Sequence, residues 1–208
     1  MRGIFITFEG PDGSGKSTQI KLLARHCEEV GIPVLLTREP GGTDISEDIR
    51  NLLLDPKNTD MSGVTEALLY AASRAQHVAE KIKPALEQGK IVLCDRFMDS
   101  SIAYQGYARG LGDEVRMINE FAVQGLAPDI TFFLDLPPDY GRRRLEASRD
   151  PDRLELEDMS FHDKVYEAYM KLRDMYPQRY ISVDATAGVE EIAEEIRRRF
   201  DEYVAGRA

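Results

Sequence analysis

Eight residues near the amino end, Gly10-Pro11-Asp12-Gly13-Ser14-Gly15-Lys16-Ser17, have types and spacing suited to holding a polyphosphate. The pattern G-x-x-x-x-G-K-[ST] arises by accident in a chain of this length only about 1% of the time at average residue usage. Gly10, Gly13 and Gly15 let the backbone turn tightly and aim successive N–H groups at phosphate oxygens, and the helix opening at Thr18 adds its partial positive charge. Lys16 neutralises phosphate charge and the Ser17 hydroxyl is a ligand for Mg²⁺. Pro11, Asp12, Ser14 and Thr18 complete a segment expected to wrap a nucleoside triphosphate.

A second cluster, Asp95-Arg96-Phe97, follows the apolar run at residues 91–94, which places an acid and a guanidinium at the carboxyl end of a strand. Ligands bind there in α/β sheets. Arg96 can grip a second phosphate through paired hydrogen bonds, and Asp95 can act on Mg²⁺ through water. An ordinary surface Asp-Arg pair explains the tripeptide taken alone equally well, and Asp135 also ends an apolar strand, so either acid fits the metal role. A GTPase switch needs an N/T-K-x-D guanine-reading motif, which is missing. The D-x-x-G match at Asp60 to Gly63 stands without it.

These residues need a frame. Short apolar runs at residues 4–8, 34–36, 91–94, 130–136 and 180–183 predict five buried strands. Amphipathic segments at 18–30, 45–54, 64–88, 113–124, 139–147, 161–176 and 189–203 predict helices between them. Alternation of the two implies an α/β fold, a five-stranded parallel sheet flanked by helices. No repeat or Gly/Ser-rich linker divides residues 1–208, so one domain is expected. Charges crowd around Pro151 in the irregular stretch 148–158, which is either a surface loop or a lid over the site.

The 208 residues are 42% hydrophobic, enough for one well-buried core. No apolar run approaches the ~20 residues that span a bilayer, and the first apolar stretch is too short for a signal peptide. A cytoplasmic protein is expected, without membrane attachment. Cys27 and Cys94 lack a second Cys or His at metal-ligand spacing and read as reduced packing residues. With 27 basic and 37 acidic side chains the net charge is −10, which repels a nucleic-acid backbone.

The run Phe8-Glu9-Gly10-Pro11-Asp12-Gly13-Ser14-Gly15-Lys16-Ser17-Thr18 is followed in order by Arg38-Glu39-Pro40-Gly41-Gly42, Asp95-Arg96-Phe97 and Ser100-Ser101-Ile102-Ala103-Tyr104-Gln105-Gly106. The ordered set resembles the bacterial thymidylate kinase family, from the first strand through residues 149–162. The resemblance implies transfer of the ATP γ-phosphoryl group to dTMP, with Mg²⁺, by a cytoplasmic homodimer. It also gives roles to individual side chains. Tyr70 would stack on thymine and Arg74, four residues on along the same helix face, would donate to a base carbonyl. Asp12 would meet the sugar 3′-hydroxyl, and Glu39 and Arg50 would complete the acceptor-phosphate and metal surroundings. Tyr104 would pack beneath the deoxyribose and leave no room for a 2′-hydroxyl, while Ser101 and Gln105 offer hydrogen-bonding groups toward the base. The competing readings are a kinase for another nucleoside monophosphate and an ATP-binding regulator without catalysis.

Phosphoryl transfer rests on alignment and charge neutralisation, which normally takes an arginine. Relatives of the human type carry it in the phosphate loop, where this chain has Gly13. The stretch Ser148-Arg149-Asp150-Pro151-Asp152-Arg153 resembles the lid of bacterial relatives, so Arg149 and Arg153 are the expected sources, both on the transferring phosphate. Arg142, Arg143 and Arg144 point in different directions on a helix and are expected to be mostly solvated or paired, Arg142 lying near adenine by resemblance. Glu155 and Glu157 can pair with these arginines or approach Mg²⁺.

Overall fold

The computed structural model describes residues 2–146 and 152–207. Five strands, β1 (Phe5–Glu9), β2 (Val34–Arg38), β3 (Ile91–Asp95), β4 (Ile130–Asp135) and β5 (Tyr180–Asp184), form one parallel sheet in the order β2-β3-β1-β4-β5. β1 lies between β3 and β4, pairing Phe8 with Asp95 on one side and with Phe132 on the other. The loops after β1 and β3 therefore leave the same end of adjacent strands, one heading to β2 and the other away from it, which opens a crevice between them.

Both faces of the sheet are covered, so the strands read as unbroken apolar runs, yet the alternation persists in what each side chain meets. Ile6, Phe8, Leu93, Phe132 and Leu134 pack against α1 (Lys16–Glu29) on one face, together with the last helix, Val189–Ala205. Phe5, Val92 and Cys94 face the other side. Glu9 shares that second side by parity, which is how an acid at a strand end comes to be fully buried.

Next along the chain are α2 (Asp44–Leu54) and α3 (Gly63–His77), capped by the side chains of Thr43 and Ser62 respectively. The single helix expected at 64–88 is in fact α3, a π-turn over Val78–Ile82 and α4 (Lys83–Glu87). Pro84 supplies the reason: it has no N–H, its ring clashes with a carbonyl one turn back in a regular helix, and the wider turn relieves both defects.

Residues 98–108, to which the sequence pattern assigns no element, form α5 (Met98–Ser101) and a second π-turn, Ile102–Ala108. Ile102, Ala103, Tyr104, Gln105 and Gly106 are all buried, so no polar face exists to create a helical period. α6 (Asp113–Ala122), α7 (Pro138–Glu146), α8 (Met159–Met175) and α9 (Val189–Ala205) complete the fold. Of the segment 148–158, residues 152–158 form turns that lead into the Asp158 cap of α8.

Candidate functional site

Unlike α2 and α3, α1 opens on a glycine, Gly15 at φ 90°, with no side-chain hydrogen bond to its first N–H groups. Those donors are left for a ligand. Gly10 is required because a Cβ there would stand 2.6 Å from the Leu134 carbonyl oxygen. Gly13 is required twice, by its φ of 77° and because its Cβ would lie 2.5 Å from the carbonyl oxygen of Gly141 on α7. In this chain a side chain at position 13 would collide with α7.

Lys16 is nearly buried and folds back on the loop, donating to the carbonyls of Gly10 at 2.9 Å and Pro11 at 2.8 Å. Burial, helped by the neighbouring Arg96, pushes its ammonium down to about 8. A polyphosphate supplies the missing counter-charge. Beside it the Ser17 hydroxyl donates to Asp95 at 2.7 Å. Two hard oxygen donors side by side suit Mg²⁺, which keeps several waters and takes few protein ligands. Asp135, the other strand-end acid, accepts from the Tyr166 hydroxyl and does not line the cavity described next.

A cavity of about 460 Å³ runs from the phosphate loop across the carboxyl ends of β1 and β3. Every described residue expected to bind donor or acceptor lines it except Gly10, Pro11, Ser14 and Arg153. The first three stand behind the loop. Asp12 projects into the cavity, held by the Arg96 guanidinium and by the Tyr104 hydroxyl at 2.7 Å. Burial opposes its ionisation, but Arg96, Lys16 and Tyr104 outweigh it and bring the carboxyl down to about 2.

Arg96 has a φ of 68°, uncommon outside glycine and a mark of strain at functional sites. Its backbone is pinned by its own N–H to Phe8 and by the Phe97 N–H to Glu9 at 2.8 Å. Its guanidinium also donates to Gly10, Ser100, Tyr104 and Tyr169. On the base side, Tyr70 and Arg74 face the cavity from α3, and Ser101, Tyr104 and Gln105 face it from α5 and the π-turn after it. Arg74 gives four of its five N–H groups to protein: Glu39, Ser101, Asn119 and Phe97. Glu39 is filled by Arg74 and by His77, which Thr37 holds from behind, so in this arrangement Glu39 orients Arg74. Arg50 lines the cavity with a hydrogen bond to Pro40 at 2.9 Å.

Arg153 corrects the expectation that it meets the transferring phosphate. Only 9% exposed, it pairs with the buried Glu66 at 2.6 Å and donates to Leu53, away from the cavity. Arg149 lies outside the described residues, as does the side chain of Arg142. Arg144, expected to be solvated or paired, lines the cavity and reaches the carbonyls of Gly13 and Ala185. Glu155 lines the cavity and Glu157 pairs with Arg109.

Sequence reasoning missed Glu9, Ser100 and Tyr169, the shell that holds Arg96. Glu9 accepts from Phe97, from the Ser100 hydroxyl at 2.6 Å and from the Tyr169 hydroxyl at 3.0 Å. Its one signal is an acid closing an apolar run. Burial, with Asp99 nearby, pushes its carboxyl from 4.5 up to about 7. The folded chain thus binds a proton between those values that the unfolded chain has released. This contribution to stability is full below about 4.5 and is lost as pH rises through about 7. Glu9→Gln, which cannot ionise, is expected to flatten that decline, so that urea unfolding between about pH 5 and pH 8 shows less loss of stability than in the parent. An unchanged slope would show that Glu9 does not titrate there.

Comparison with known proteins agrees with this geometry. The thymidylate kinase family model matches residues 8–196. A thymidylate kinase of Geobacillus sp. (strain WCH70) is 53% identical over 195 residues, covering 92% of this chain and 93% of that one. One from Clostridium novyi (strain NT) is 50% identical over 199 residues, covering 94% and 97%. The crystal structure of thymidylate kinase from Ehrlichia chaffeensis superposes with a TM-score of 0.81 at 35% identity, covering 96% of this chain and 100% of that one. With the phosphate loop, the paired Asp12 and Arg96 and the base-side residues assembled around one cavity, the chain belongs to the thymidylate kinase family.

Proposed function

We propose that this chain transfers the γ-phosphoryl group of ATP to dTMP, giving dTDP and ADP. The observation that carries the reading is the single cavity in which an uncapped helix N-terminus and Lys16 meet Arg96, Asp12 and the base-side face of Tyr70, Arg74 and Gln105. Bound ATP would supply the phosphoryl group, with Mg²⁺ held at Ser17 and Asp95 offsetting its charge. Lys16 and the loop N–H groups position the donor. Arg96, with Arg50 beside it, holds the acceptor phosphate in line, and Asp12, ionised and with lone pairs remaining, accepts from the 3′-hydroxyl. No residue need remove a proton, because a monophosphate oxygen is already ionised at neutral pH. Tyr104, buried beneath the sugar position with its hydroxyl spent on Asp12, excludes a 2′-hydroxyl.

ADP release from ATP, compared across dTMP, dUMP, UMP, CMP, AMP and GMP, tests the reading. dTMP is expected to give the largest kcat/KM. A larger value with another monophosphate moves the chain to that substrate, and no release with any of them removes catalysis.

The transition-state arginine we assign to Arg149, since Arg153 is committed to Glu66. Arg149→Ala is expected to lower kcat by roughly 10³-fold or more, while Arg153→Ala acts mainly on thermal stability. Steady-state kinetics with near-normal kcat for Arg149→Ala would overturn the assignment.

The acceptor is a free nucleotide rather than a nucleic-acid strand, in keeping with a net charge of −10. No helix is long and apolar enough to cross a membrane among the described residues, and the protein acts in the cytoplasm, where Cys27 and Cys94 stay reduced. It works as a homodimer. In support, neighbouring helices α2, α3 and α6 expose Ile45 and Leu52, Val64 and Leu68, and Met117 and Phe121, the last 88% exposed. Phe121→Glu is expected to shift sedimentation from dimer to monomer, and an unchanged sedimentation coefficient would place the interface elsewhere.

A further inference from the structure

Glu66 stands one helical turn before Tyr70 and two before Arg74, on the same face of α3. Its side chain is 1% exposed, and it touches no expected ligand position. Four contacts surround its carboxylate: Gln105 Nε2 at 2.8 Å, Arg109 Nε at 3.3 Å and Nη2 at 3.1 Å, and Arg153 Nη2 at 2.6 Å. Burial opposes its ionisation, but the hydrogen bonds from Arg109 and Gln105 and the charge of Arg109 hold it below the usual carboxylate range. Glu66 is therefore an acceptor only.

That fact decides which way the Gln105 amide faces. At 2.8 Å from an ionised carboxylate the amide must present N–H, because its carbonyl oxygen there would lose the hydrogen bond and set lone pair against lone pair. Gln105 lines the cavity, and no hydrogen bond to its Oε1 exists among the described residues. We infer that Glu66 is a specificity-determining positioning residue, which locks the Gln105 amide with Nε2 turned to the carboxylate and Oε1 turned to the cavity.

The cavity then offers an acceptor, Gln105 Oε1, alongside the one N–H that Arg74 retains on Nη2 among the described residues. An acceptor beside a donor matches a pyrimidine edge with N3–H and a C4 carbonyl, as in thymine and uracil. Cytosine presents the reverse, a bare N3 and an N4 amino group. A site built around fixed polar groups rejects a mismatched ligand strongly, because the mismatch leaves buried groups unpaired. Glu66 thus selects against cytosine without touching the base. The inference rests on the dTMP reading above and adds the residue that enforces it.

The test is the ratio of kcat/KM for dTMP to that for dCMP, with dUMP alongside, in parent, Glu66→Gln and Arg109→Lys. Glu66→Gln frees the amide of Gln105 to turn over, and the dTMP-to-dCMP ratio is expected to fall at least about tenfold, with KM for dTMP rising more than kcat falls. Arg109→Lys keeps a cation beside Glu66 and leaves the carboxylate on Gln105, so it is expected to keep the parent ratio. Should Glu66→Gln fail to fold by circular dichroism, Glu66→Asp, which withdraws the carboxylate by one methylene, is expected to lower the ratio in the same direction. A folded variant at position 66 with the parent ratio overturns the inference, as does a parent enzyme that uses dCMP as well as dTMP. In both cases dTMP activity itself survives. A parent inactive on dTMP overturns the inference and the assigned reaction together.

Discussion

The guanidinium of Arg96 is a charge largely taken out of water, its side chain 17% exposed, and the site is arranged around keeping it paired. A buried cation is tolerable only where a counter-charge and hydrogen-bond acceptors surround it. Here Asp12 supplies the charge, and Gly10, Ser100, Tyr104 and Tyr169 supply acceptors from the phosphate loop, α5, the π-turn and α8. The strained backbone of Arg96 is held from the other side by Phe8 and Glu9. One side chain therefore ties together the loop that holds the donor and the helix that faces the acceptor. The crevice between β1 and β3 gives it that position, since both loops leave the same edge.

Around this pair the two halves solve different problems. The donor half must attract an anion without being wrecked by its absence. α1 leaves its first N–H groups open, whereas α2, α3 and α8 are capped by Thr43, Ser62 and Asp158. Lys16 uses the loop's own carbonyls until phosphate arrives. The close approach of Gly13 to Gly141 shuts a side chain out of the loop and seats α7 against it. Positive charge for the transferring group must come from beyond that contact, and Arg144 already stands beside it.

The acceptor half must instead read a neutral base, so its polar groups are fixed before the ligand arrives. Among the described residues Arg74 has one N–H uncommitted, and Glu39, His77 and Thr37 form a chain of hydrogen bonds behind it. Gln105 is fixed by Glu66 in the same manner. In a low-dielectric interior such networks are rigid because each unsatisfied member would be expensive, and rigidity is what discriminates one edge of a base from another.

The sequence by itself determined the five parallel strands, the phosphate loop and the family, because these depend on local pattern: apolar runs, glycines at fixed spacing and short ordered motifs. It also named most of the residues that line the cavity. It did not show the helix at 98–108, whose burial on all sides erased the amphipathic period, or the π-turn before Pro84. Nor did it show where the arginines go. Arg153 looks like a lid residue in one dimension, but the carboxylate it pairs with is 87 positions away, and Arg144 looks solvated or paired until the glycine contact brings α7 onto the loop. Glu66 and His77 carry no motif and Glu9 shows only as an acid closing an apolar run, since the partners that give them meaning lie between 38 and 160 residues distant in the chain. Only tertiary structure pairs a buried charge, because pairing depends on distance in space and the spacing along the chain records none of it.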